Sequence, residues 1–131
     1  LEGASLSIKL KYLEGWNNRR REIAKRYQNE ITNPKIKMQS KPAYSDGIYH
    51  LFVVTTDNKD GFVQHLADND IIAAFHYPVP CHLQKAYAHL GYKNGDFPNS
   101  EYLAAHCISL PMYAELTDED VNRVIAAVNS F

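Results

Sequence analysis

The stretch Ile48-Tyr49-His50-Leu51-Phe52-Val53-Val54-Thr55-Thr56 decides the fold class. It is dense in β-branched and aromatic residues, which suit a pleated, half-buried surface, and it follows the turn signal Ser45-Asp46-Gly47. It therefore reads as a central strand. On its C-terminal side, Asp57 or Asn58 can cap a helix whose apolar face is Phe62, Val63, Leu66 and Ala67. Ile71 to Phe75 reads as a second short strand, followed by a loop with Pro78 and Pro80, a helical turn over Leu83 to Leu90, and a break at Gly91 and Gly95. Pro98 suits the first position of a helix running to about Cys107, where its missing N–H costs nothing. Ile108-Ser109-Leu110 is a third strand, ended by Pro111. Thr117 with Asp120 at the third position caps a final helix, along which Val121, Val124, Ile125, Val128 and Phe131 form an apolar stripe.

On the N-terminal side, Ile36 to Pro42 is expected to be extended and irregular. From Leu6 to Ile31 there is no proline, and apolar residues recur with helical spacing at Leu6, Leu10, Leu13, Trp16, Ile23, Tyr27 and Ile31. One long helix is expected, stopped by Asn33-Pro34. The run Arg19-Arg20-Arg21 with Lys25-Arg26 is interleaved with Glu14, Glu22 and Glu30 at spacings that allow same-face ion pairs, so it reads as a solvated helix face and not as a nucleic-acid stripe. The expected class is α+β: a small three-stranded sheet covered by helices, with a long N-terminal helix over residues 1–33 and a compact unit over 34–131. Leu6 to Leu13 on such a helix calls for a neighbour.

At 131 residues and 45% hydrophobic content the chain fits one core and not two, and folding buries roughly two thirds of the unfolded surface. No stretch has the ~20 apolar residues of a membrane span, and the first residues lack the zones of a signal peptide. Cys81 and Cys107 are too few for a disulfide framework and read as reduced thiols. The expectation is a soluble, cytoplasmic protein. The net charge of −1 hides an asymmetry: residues 1–41 carry ten Lys or Arg against four acids, and residues 42–131 carry four against eleven.

The densest chemical constellation is His76-Tyr77-Pro78-Val79-Pro80-Cys81-His82. Each proline biases its predecessor to extended geometry, so the loop is stiff and aims its side chains. His76, Tyr77 and His82 offer donors suited to phosphate or sugar oxygens. The plain alternative is a structural loop in which a backbone carbonyl satisfies His76. A metal site on His76, Cys81, His82 and Cys107 is a further alternative, although the spacing matches no standard zinc pattern. His50, near the start of the central strand, reads either as a half-buried polar residue or as a site residue. Gly91 to Pro98 lacks phosphate-loop spacing and reads as a turn, and GxSxG, HExxH and Walker motifs are absent.

Several strings carry a resemblance. They are Lys9-Leu10-Lys11-Tyr12-Leu13 with Trp16-Asn17, Arg20-Arg21, Ile23-Ala24 and Tyr27; Tyr49-His50-Leu51-Phe52-Val53-Val54; and His76-Tyr77-Pro78-Val79-Pro80 with His82. They continue with Ala86-Tyr87 and Leu90-Gly91-Tyr92, Gly95-Asp96-Phe97-Pro98 with Glu101, Ser109-Leu110-Pro111-Met112-Tyr113, and Glu115-Leu116-Thr117. In this order they resemble the C-terminal part of the DegT/DnrJ/EryC1/StrS sugar aminotransferases. The resemblance spans essentially the whole chain. It implies the small domain of a fold-type I enzyme dependent on pyridoxal phosphate (PLP), with a mainly antiparallel sheet. Such enzymes move an amino group, usually from glutamate, to a keto group of a nucleotide-linked sugar, for lipopolysaccharide, other surface polysaccharides and antibiotics. The family's cofactor lysine, pyridine-facing aspartate and phosphate-binding serines lie in an upstream domain, so the resemblance implies no catalytic residue in this chain. It also implies inactivity in isolation and a homodimeric parent.

By the same resemblance His76 and Tyr77 match a loop pair that contacts nucleotide-sugar phosphates, His82 a position further along it, and His50 a position near the same cleft. Ala114 stands in place of the usual proline between Tyr113 and Glu115, and Lys85 replaces another before Ala86-Tyr87; both changes loosen loops without removing donors. Two other classes compete with the enzyme: a PLP-bound sensor or regulatory relative, and a stand-alone binding module, against which Leu1 is not Met.

Overall fold

A computed structural model describes residues 2–40 and 43–131. The helices are α1 (Glu2–Leu10), α2 (Leu13–Glu30), α3 (Lys59–Asp68), α4 (Pro98–His106) and α5 (Asp118–Ser130). The strands are β1 (Lys37–Met38), β2 (Phe52–Thr55) and β3 (Cys107–Leu110), and 3-10 turns cover Cys81–Leu83 and Lys85–Leu90. The sheet order is β1-β2-β3, antiparallel throughout, with Lys37 opposite Thr55 and Phe52 opposite Leu110. The α+β expectation holds, with β2 central.

Four details differ from the sequence reading. The long N-terminal helix is broken at Lys11-Tyr12, where Lys11 and Tyr12 N–H donate to carbonyls three residues back, those of Ile8 and Lys9. This tightens and ends α1 without a proline. The third strand is Lys37–Met38, inside the segment expected to be irregular, and Lys41 and Pro42 of that segment lie outside the described residues, as does Leu1. The Ile71 to Phe75 strand reduces to one bridge, Ala74 to Ser109, because only Ile71 of its large residues is buried and Ile72 stands 89% exposed. The central strand is also shorter than expected, since Tyr49 takes φ 50 and turns the chain before Phe52.

The core lies where α2, α3 and α5 meet the sheet. Ile23, Ala24 and Tyr27 from α2, Phe62 and Leu66 from α3, and Val121, Val124, Ile125 and Val128 from α5 pack with Phe52, Val54, Ile108 and Leu110. This face follows from the period-2 pattern of β2, in which Phe52 and Val54 are buried and Val53 and Thr55 half-buried. β3 is buried on both sides. Helix α5 begins with a reciprocal cap: Asp120 N–H donates to Thr117 Oγ1 (3.1 Å) and Thr117 N–H to Asp120 Oδ2 (3.3 Å). Asn58 caps α3 by accepting from Gly61 N–H. Among the described residues no helix is long and apolar enough to cross a membrane.

Candidate functional site

The chain leaves the bridge at Ala74 and enters the His76–His82 loop beside β3. Ser109 is the hydroxyl in an otherwise apolar, buried strand, and a buried hydroxyl needs a partner. It finds His76 Nδ1 at 2.9 Å. The bond orients the imidazole and leaves Nε2 without a partner among the described residues. The His76 and Tyr77 rings meet edge-on at 5.5 Å across a cis peptide bond. Tyr77 is 72% exposed, and its hydroxyl bonds to no described residue. Tyr77, Pro78, Val79, Leu83, Gln84 and Lys85 line a shallow concavity on this side.

His82 sits differently. Its side chain is 8% exposed, and Nε2 lies 3.0 Å from Glu101 Oε1. An ionised carboxylate only accepts, so Nε2 carries the proton. Gly95 N–H is 2.9 Å from both carboxylate oxygens and Phe97 N–H is 3.3 Å from Oε1. These donors, that of Gly95 foremost, hold the Glu101 carboxyl below its ordinary range. His50 is exposed in the bend before β2 and has no hydrogen bond to a described residue. His76 and Tyr77 are thus brought together, His82 is engaged by α4, and no hydrogen bond joins any two of the four residues.

Sequence reasoning assigned no role to Ser109 or Glu101. Two signals pointed to them: a lone hydroxyl within Cys-Ile-Ser-Leu, and an acid in the first turn of a helix whose cap residue, Phe97, has no capping side chain. Among the described residues no three His, Cys, Asp or Glu gather as a metal site. The lysines of the described residues are either engaged or exposed. Lys35 donates to the Phe131 carbonyl, Lys37 pairs with Asp57 and Lys59 donates to the Ala104 carbonyl, while Lys9, Lys11, Lys25, Lys85 and Lys93 stand exposed.

A family model described as the DegT/DnrJ/EryC1/StrS aminotransferase family matches residues 1–129. The chain is 40% identical, over its full length, to dTDP-3-amino-3,6-dideoxy-α-D-galactopyranose transaminase of Aneurinibacillus thermoaerophilus. It is 39% identical over 99% of its length to the erythromycin biosynthesis sensory transduction protein EryC1 of Saccharopolyspora erythraea. In each case it covers 36% of the relative, so the chain spans about a third of the length of the curated proteins it matches. Among solved structures, DesV of S. venezuelae, in complex with a ketimine intermediate, superposes over 97% of this chain and 34% of its own, with a TM-score of 0.94 and 36% identity. The match runs from α1 through α5 and includes the His76–His82 loop, and on that ground the chain belongs to the DegT/DnrJ/EryC1/StrS aminotransferase family.

Proposed function

We propose that this chain is the C-terminal small domain of a longer, PLP-dependent enzyme that moves an amino group from glutamate to a keto group of a nucleotide-linked sugar, and that it has no turnover alone. The observation that carries the reading is the likeness to transaminases along nearly the whole chain, in sequence and in backbone. The cofactor, which supplies the electron sink for amino transfer, is held outside these residues. This chain contributes on the substrate side. His76, oriented by Ser109, presents Nε2, and Tyr77 presents an unengaged hydroxyl, two donors for sugar or diphosphate oxygens. His82 and His50 complete the proposed substrate side, His82 from its place on Glu101. The parent is read as a cytoplasmic homodimer serving amino-sugar formation for lipopolysaccharide or other surface polysaccharides.

A second reading has its own support. Two relatives bear regulatory names, the sensory transduction protein above and a pleiotropic regulatory protein of Geobacillus stearothermophilus, 32% identical to this chain. One experiment separates the two. The full-length protein is purified with PLP, and its visible absorbance is followed on adding L-glutamate. Conversion to the pyridoxamine phosphate spectrum is expected for the enzyme. A bound-cofactor band that glutamate leaves untouched selects the sensor.

A further inference from the structure

Tyr77 is 72% exposed, yet the chain is fastened on both sides of it. One fastening is the His76–Ser109 bond. The other, five residues on, is more elaborate. Glu101 accepts from Gly95 N–H, Phe97 N–H and His82, so one carboxylate ties together the His82 loop, the Gly91–Phe97 turn and the first turn of α4. Gly95 reaches it at φ 96, a conformation that favours glycine. The His82 ring packs on Phe97 at 4.8 Å, and Phe97 meets Tyr92 edge-on at 5.1 Å. Between Tyr77 and His82 stand Pro78 and Pro80, whose fixed φ leaves little freedom to absorb a displacement. A shift at His82 is therefore passed back to Tyr77.

We propose that Glu101, acting through His82, is a positioning residue that fixes the Tyr77 loop for a nucleotide diphosphate, an inference that rests on the substrate-side role proposed above. Glu101 touches no substrate in this arrangement. It sets where the loop stands, and misplacement of a binding group by an ångström is enough to cost affinity or rate.

The test uses the full-length, PLP-loaded protein, with dTDP and UDP as calorimetric probes and with hydrogen exchange read over residues 76–84 and 91–97. Glu101→Ala is expected to weaken the tighter-binding probe about tenfold and to speed exchange in both segments. The glutamate-driven spectral change should stay within about twofold of wild type, because nothing in this cluster is assigned to the amino donor. Glu101→Gln, which keeps one acceptor oxygen, should recover most of the affinity. His82→Phe keeps a ring against Phe97 and removes the donor to Glu101, so exchange should rise at 76–84 and stay near wild type at 91–97. Unchanged exchange at 76–84 in both Glu101→Ala and His82→Phe, with unchanged probe affinity in Glu101→Ala, overturns the proposal. Should Glu101→Ala fail to fold, exchange at 76–84 in His82→Phe alone decides. A wild-type protein that binds neither probe and ignores glutamate removes the aminotransferase reading, and exchange at 76–84 in His82→Phe then decides the anchoring role by itself.

Discussion

A tyrosine hydroxyl inside a core must be bonded or it destabilises the fold, and Tyr27 shows how the requirement is met. Its ring is fully buried, edge-on to Phe52 at 5.0 Å, and its hydroxyl donates to the Pro111 carbonyl at 2.9 Å. Burial pushes its pKa well above the ordinary tyrosine value, which favours the protonated, donating form. Tyr27→Phe keeps the packing and strands the carbonyl, and a loss of about 1 kcal/mol is expected in chemical denaturation. An unchanged midpoint would mean that the Pro111 carbonyl finds another donor. Periodicity placed Tyr27 on the apolar face of its helix but had no means of naming Pro111, 84 residues away. Ser109 and Glu101 pose the same difficulty. Single residues advertise their need for a partner, and only the folded topology supplies it. This is why the His76–His82 loop could be singled out in the sequence while its bonds to Ser109 and Glu101 could not.

Elements were legible in proportion to how local their determinants are. The α5 cap, the Pro98 start of α4 and the breaks at Gly91 and Gly95 depend on neighbours within four residues, and all appear as read. The break between α1 and α2 carries no sequence signal, because Tyr12 stays near helical dihedrals (φ −102°, ψ −11°) and the ladder only tightens there. Strand identity depends on partners. Lys37–Met38 is a strand because β2 offers it an edge, whereas Ile71–Phe75, richer in β-formers, gains a single bridge. Where a determinant is local, its removal has a local cost. Thr117→Ala removes the acceptor for Asp120 N–H and releases the Asp120 carboxylate from the Thr117 hydroxyl, 2.6 Å away. A loss of about 1 kcal/mol in folding free energy is expected, with Thr117→Ser close to wild type. Equal losses in the two variants would assign the effect to the threonine methyl and not to the cap.

The charge asymmetry becomes intelligible only for the molecule as a whole. The basic α2 lies against the acidic start of α5. Arg19 donates to Asp118 (2.8 Å) and to the Leu116 carbonyl (2.8 Å), and Arg26 bonds Glu30 and reaches Asn122. Asn129 and Asn33 tie the far ends of the two helices together. Glu30 and Asp118, bonded by arginine, Asp120, bonded by Thr117, and Glu101, bonded by backbone N–H groups, all have carboxyl pKa values lowered from their ordinary 4.5 or 3.8. A depressed folded pKa gives stability that is complete above the ordinary value and is lost as pH falls through the folded one. The melting temperature should therefore be flat near neutrality and decline from about pH 5 towards about pH 3. Asp118→Asn tests the assignment, since it keeps an acceptor for Arg19 but cannot titrate. Its melting temperature should lie below wild type at pH 7 and converge on it in acid, because protonation costs the wild type what the variant has already lost. Raised salt should narrow the gap at pH 7, as expected for a pair in which Asp118 is exposed. Parallel curves that never converge would place the acid sensitivity on the other carboxylates, with Glu101 as the next to replace.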